Sequence, residues 1–142
     1  MAFPMHYETS YEWSGAGEEG TLAVAGLSPL SVGVPTEGDA KCWSPEHLLL
    51  AAAEICLVNT FLVISGMSKL AVKAYRSSAS GELTLVPKEG YKFERITIRP
   101  VITVAEGSIE RAERILEKSH RACLITRSFN FPVEVEPQFV AG

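Results

Sequence analysis

Residues 44–66 read SPEHLLLAAAEICLVNTFLVISG, and this stretch decides the fold. Ser44 is a good helix N-cap, Pro45 suits the first helical position, and Glu46 answers the helix dipole in the first turn. The pattern predicts a helix from Pro45 to Ser65, roughly 30 Å long, with Gly66 as the residue that ends it. The helix is apolar almost all round, so it must be covered on most sides. A chain of 142 residues has little material with which to wrap such a rod. A second copy of the chain is the simplest cover, which predicts an obligate homodimer. Glu54, Asn59 and Thr60 interrupt the apolar run. A carboxylate in mid-membrane costs about 2.5–3.5 kcal/mol even on lenient scales, so a core helix is expected and no membrane association.

Outward from this helix, the pattern changes on both sides. Before it, short strands and turns are expected. One β-like run holds Tyr7, Tyr11 and Trp13, and another runs from Thr21 to Leu27 with Leu22 and Val24 on one face. Gly15, Gly17 and Gly20 mark the turn between them, and Ser31 to Pro35 reads as a third strand. After the helix, Leu70 to Val86 reads as a long strand or a bent pair, with Gly81 as a bulge or turn. Phe93 to Val104 alternates, with Ile96, Ile98, Ile102 and Val104 on one face, and Pro100 suggests an edge or bulge. Ser108 begins a second helix with Ile109, Ala112, Ile115, Leu116 and Ala122 as its apolar stripe and Cys123 on or near it. Phe131 to Pro137 closes as a strand. Trp13 and Phe61 read as core. The order is α+β in a single domain, residues 1–142, not the alternation of a parallel βαβ fold.

The net charge is −4 and the only cation before Lys69 is Lys41. That leaves no surface to track phosphates, so nucleic acid is not an expected partner. The first residues, MAFPMHYETSYEWSG, lack a basic segment followed by an apolar one, so no leader is expected and the cytoplasm is the expected compartment. There are three cysteines, Cys42, Cys56 and Cys123. An odd count without a leader does not suggest a disulfide framework. No zinc-type spacing is present. His120 and Cys123 alone do not make a metal site, so neither metal nor cofactor is expected.

Two segments are recognisable. In residues 44–61 a Pro-Glu pair opens a long helix and a cysteine, Cys56, stands ten residues after Glu46. Near the end of the next helix, SHRACLITRSF (119–129) carries His120 and Cys123. Together with the closing PVEVE, this resembles the OsmC/Ohr family of osmotically inducible and organic hydroperoxide resistance proteins. The resemblance implies antiparallel sheets around a long buried central helix in an intertwined homodimer. It also implies a thiol-dependent peroxidase for organic hydroperoxides, with Cys56, Cys123 and Glu46 at the site and a dithiol reductant, lipoyl in type. Cys56 would attack the peroxide and become a sulfenic acid, and Cys123 would trap it as a disulfide. Ten helical residues separate Glu46 from Cys56 by roughly 15 Å and turn them some 80° apart. They cannot share a pocket within one chain unless the helix breaks, and the resemblance to the intertwined family dimers implies that Glu46 would serve the Cys56 of the partner chain.

Two departures stand out. The family's peroxidases carry an arginine in the N-terminal strands, whereas no arginine precedes Arg76 here, and Leu124 follows Cys123 where the family has proline. The second reading is an OsmC-like dimer with little or no peroxidase activity that binds an apolar small molecule or a thiol. Without the resemblance, Cys56 and Cys123 would read as small buried hydrophobes. Cys42 reads as incidental, His120 as a helix-end residue, and His47 as a pocket residue. Glu54, two residues from Cys56, reads as a carboxylate that would disfavour a thiolate there.

Overall fold

The computed structural model describes residues 4–142. The expectation of no leader rests in part on residues 1–3, which lie outside the described residues. The chain forms two compact units, residues 1–49 and 50–142.

The first unit is an antiparallel meander of β1 (Ser10–Glu12), β2 (Gly20–Ala23) and β3 (Leu30–Val32). The strands are shorter than their alternation suggests. Gly15 and Gly17 take positive φ in the first turn, where a side chain would be strained. Gly20 is glycine for another reason: a Cβ there would run into the Tyr11 ring. The expected second strand stops at Ala23 because Val24 to Leu27 closes a turn, Leu27 N–H donating to Val24 O at 3.0 Å. Trp13, expected in the core, is 53% exposed, with its indole N–H donating to Gly17 O. Ser44 caps the long helix as expected: its hydroxyl accepts from His47 N–H at 3.1 Å and pairs with His47 Nδ1 at 2.8 Å. His47 is thus part of the cap.

Helix α1 runs unbroken from Pro45 to Met67. Gly66 does not end it. Lys69 does, with φ 57°, while Leu70 N–H reaches Ser65 O and Lys69 N–H reaches Gly66 O. This is a Schellman stop, anchored by the buried Leu70.

The second unit is built on the hairpin of β4 (Val72–Val86) and β5 (Gly90–Val104). Ile96, Ile98, Ile102 and Val104 are fully buried, as their alternation requires. β4 is continuous, and Gly81 pairs with Ile96 beside a register shift at Glu82. A Cβ at Gly81 would stand 2.7 Å from Phe93 and 3.1 Å from Leu50, so glycine lets helix and sheet approach. α1 packs on this sheet through Phe61 against Tyr75, ring centroids 5.9 Å apart.

A 3-10 turn (Glu106–Ser108) leads into α2 (Ile109–Ala122). Cys123 does not belong to the helical stripe. It leaves α2 in an extended conformation and starts a further turn of helix, α3 (Leu124–Arg127). The closing segment is two strands, not one: β6 (Val133–Val135) and β7 (Gln138–Ala141) both pair in parallel with β5. The antiparallel hairpin thus sits in a mixed sheet. Pro100 lies at the gap between β6 and β7, where no neighbouring strand needs its missing N–H. The opposite sheet face is polar, with Arg95 on Glu82 at 2.6 Å and Arg99 on Glu136 at 3.3 Å.

Candidate functional site

The site is assembled from one side chain on α1 and the junction after α2. Cys56 sits in the middle of α1, half-buried. Its carbonyl accepts the Thr60 hydroxyl at 2.8 Å. Cys123, fully buried, is near enough to Cys56 for that thiol to act on its ionisation. The two expected redox cysteines are therefore brought together, and both are free thiols.

The surroundings of Cys123 act in opposite directions. Burial pushes its thiol pKa up, and the Cys56 thiol adds to this. Hydrogen bonding from Thr126 pulls the other way, since donors favour a thiolate. Cys123 holds its place through the backbone, its N–H donating to His120 O and its carbonyl accepting from Arg127 N–H at 3.1 Å. Leu124 occupies the first position of α3, where a proline would also fit.

Glu54 faces away from Cys56. Two helical steps turn them about 160° apart, and Glu54 accepts a hydrogen bond from Ser77 on the sheet. Its charge acts instead on Tyr75, whose phenol is pushed up to about 12, first by burial and then by Glu54. Arg76 and Ser77 line a shallow groove of about 330 Å³ with Glu54, Ile55 and Val58. Glu46 stands in the first turn of α1. Because the helix is unbroken, the ~15 Å of axis between it and Cys56 remains.

Cys42 lies in the first unit, lining a separate groove with Lys41, Trp43 and His47. His120 ends α2, with its Nδ1 buried and unpartnered. Among the described residues, no three His, Cys, Asp or Glu side chains stand close enough to hold a metal ion.

A second property of α1 concerns its surface. Ala53, Leu57, Phe61 and Ser65 are its only buried positions. Ile55, Leu62, Val63 and Met67 form an exposed apolar arc, and Cys56 lies within it, between the directions of Val63 and Met67. Thr126 was missed by sequence reasoning.

Comparison with known proteins agrees with this geometry. The chain is 22% identical to the uncharacterised protein YmaD of Bacillus subtilis, over 92% of this chain and 91% of that one. It superposes on an OsmC-like protein of unknown function from Vibrio cholerae with a TM-score of 0.82, at 20% identity, covering 94% of this chain and 99% of the other. The organic hydroperoxide resistance protein OsmC of Legionella pneumophila gives 0.75 at 18% identity, over 97% and 98% of the two chains. The profile of the OsmC-like proteins matches residues 38–138, a span that takes in the whole of α1 and both site cysteines. The chain belongs to the OsmC-like protein family.

Proposed function

We propose that this protein is a thiol peroxidase that reduces organic hydroperoxides through Cys56 and Cys123. The observation that carries this reading is the nearness of a half-exposed thiol, Cys56, to a fully buried one, Cys123, whose ionisation it influences. The exposed thiol meets the peroxide. The Cys56 thiolate attacks the distal oxygen, the O–O bond breaks, and the alkoxide takes a proton and leaves as alcohol, giving a Cys56 sulfenic acid. The Cys123 thiolate then attacks the Cys56 sulfur, the S–O bond breaks, and the hydroxide takes a proton from solvent and leaves as water, giving a disulfide. A dithiol reductant, such as a lipoyl group, regenerates both thiols by exchange. Three free cysteines suit a reducing compartment, the cytoplasm. The name of the Legionella relative, an organic hydroperoxide resistance protein, points the same way.

The working form in this reading is a homodimer. Its support is the apolar arc on α1 together with β4, which is 15 residues long and lies at the edge of its sheet. α1 is also long and apolar enough to cross a membrane, with a mean hydropathy of 2.1. The bonds of Glu54 and Phe61 to the sheet favour a protein partner over lipid. Glu46 joins the site from the partner chain.

The absence of any arginine before Arg76 favours a second reading, a dimer with little peroxidase activity that binds an apolar small molecule or a thiol. Intact mass before and after one equivalent of an alkyl hydroperoxide separates the two. Loss of two hydrogens, mapped to Cys56 and Cys123, supports the peroxidase. Unchanged mass, or oxidation elsewhere, overturns it.

A further inference from the structure

Helix α2 sorts its charges by side. Arg111, Arg114, Lys118 and Arg121 recur at steps of three and four, so they form one stripe within about 80° of each other. Glu110, Glu113 and Glu117 form a second stripe beside it. The basic stripe borders α1. Arg111, Arg114 and Lys118 line a groove of about 290 Å³ with Ile64, Ser68 and Ile115, and the Arg111 guanidinium donates to Ser68 O at 2.6 Å. Arg114, Lys118 and Arg121 are exposed, and among the described residues none of the four cations forms an ion pair. Packing does not ask for them, since α2 is held through Ala112, Ile115, Leu116 and Ser119. The stripe also has a direction. It starts at Arg111 beside Ser68, and Cys123 follows the last residue of α2. Twelve residues separate Arg111 from Cys123, and twelve separate Cys56 from Ser68, about 18 Å in each case. α2 thus runs back along α1, and the cations lead to the thiols.

We propose, resting on the redox-pair reading, that this stripe is the docking face for an acidic protein surface that carries the dithiol reductant. From Arg111 to Arg121 the stripe spans about 15 Å. Several spaced carboxylates match such a row, and one small anion does not. The glutamate stripe beside it repels a continuous phosphate backbone, but it can pair with cations that flank the carboxylates of a protein, which fixes the orientation of the carrier. Reduction itself is thiol–disulfide exchange. One reductant thiolate attacks the half-exposed Cys56 sulfur, the Cys56–Cys123 bond breaks, and Cys123 leaves as a thiolate that takes a proton from solvent. The second reductant thiolate attacks the carrier's own sulfur in the mixed disulfide and frees Cys56. The carrier is left as a cyclic disulfide, oxidised by two electrons, and the cysteine pair is reduced by two. The stripe takes no part in these steps. It raises the rate at which the carrier arrives in the right orientation.

The test forms the disulfide with diamide, so peroxidase activity is not required. Its reduction is then followed with two reduced lipoyl-lysine peptides, one flanked by four glutamates and one by four glutamines. The dithiol is the same in both, so only the charge differs. At low salt the glutamate peptide is expected to react roughly tenfold faster, within the range that charge steering supplies. The gap closes at about 1 M salt, where screening leaves a reach of only about 3 Å. In the double variant Arg114→Glu, Lys118→Glu the preference is lost or reversed, while dithiothreitol, which carries no flanking charge, reduces parent and variant alike. The double variant Lys88→Glu, Lys92→Glu makes the same change in net charge on the β4–β5 hairpin and keeps the preference. Equal rates for the two peptides on the parent overturn the docking face and leave the redox pair standing. So does a preference that R114E/K118E retains, or that K88E/K92E loses as fully. Failure of diamide to join Cys56 to Cys123 in the parent protein overturns the redox pair and this inference with it.

Discussion

Replacing Val63 with aspartate places a carboxylate in the middle of the apolar arc on α1. Val63 is 62% exposed in the single chain, with Ile55 at 56%, Leu62 at 47% and Met67 at 80%. Full burial of such a side chain is worth about 1.5–3 kcal/mol, so completing the burial of these four yields roughly 5 kcal/mol per copy. Two copies supply on the order of 10 kcal/mol, which lies within the estimated 4–15 kcal/mol cost of association. The arc is therefore large enough to decide whether a dimer forms. Aspartate forfeits about 1 kcal/mol of that and adds a buried, unpaired charge costing several kcal/mol more. A two-fold axis doubles the effect. The expected result is a dimer weakened by at least about a thousandfold, from ~4 kcal/mol. Sedimentation velocity across the micromolar range, with circular dichroism to follow the fold, is the assay. A parent protein that is a stable folded monomer at micromolar concentration, or a V63D dimer of unchanged affinity, would refute the reasoning.

Cys123→Ser should leave the Cys56 sulfenic acid untrapped, so excess hydroperoxide adds oxygen atoms to Cys56 where the parent loses hydrogens; a mass that stops at one disulfide overturns this. Gly81→Ala should destabilise by about 1–3 kcal/mol in chemical denaturation, because the added methyl meets Phe93 and Leu50. The phenol of Tyr75 is raised from 10.0 to about 12, so the folded chain keeps a proton that the unfolded chain has already lost. Stability from this group is full below pH 10 and is lost as pH rises to about 12; Tyr75→Phe should flatten that alkaline limb of a denaturation series. With no arginine before Arg76, Cys56 oxidation at pH 7 is expected orders of magnitude below that of an arginine-bearing relative. Stopped-flow traces showing near-diffusional oxidation would exclude this and direct attention to Arg76, Arg127 and Lys41.

What was legible in the sequence was what depends on a local period. The alternation of Ile96, Ile98, Ile102 and Val104 places them in the core, where all four are fully buried. The start of α1 was legible because Ser44 and its first turn settle capping among neighbours. Its end was not, because the stop depends on where Leu70 is buried, a tertiary event that moves the left-handed residue from Gly66 to Lys69. β7 was missed because a four-residue strand has no period to read, and its parallel register on β5 is set across the sheet. Glu54 was misjudged by sequence proximity, since helical rotation sends it to Ser77. Trp13 was misjudged by residue type alone.

The two cysteines were legible only as a motif; their juxtaposition depends on α1 and the α2–α3 junction meeting in space. That meeting has a consequence for assembly. Cys56 and Val63 are seven residues apart, so they point within about 20° of each other, two turns apart on α1. Any partner that covers Val63 also comes close to the mouth of the Cys56 thiol. The same straight helix that keeps a chain's own Glu46 ~15 Å from its Cys56 presents Glu46 at its far end, where an antiparallel second helix would return it. One apolar face can thus serve both assembly and chemistry. In the proposed dimer the partner excludes water from the peroxide and delivers a carboxylate that the chain cannot deliver to itself. On this argument V63D loses more than its partner. Its Cys56 and Cys123 should still join with diamide, because that pair is built within one chain, while its oxidation by alkyl hydroperoxide should fall in step with the fraction of dimer. Peroxide kinetics independent of dimer fraction would separate the two roles and leave Glu46 outside the site.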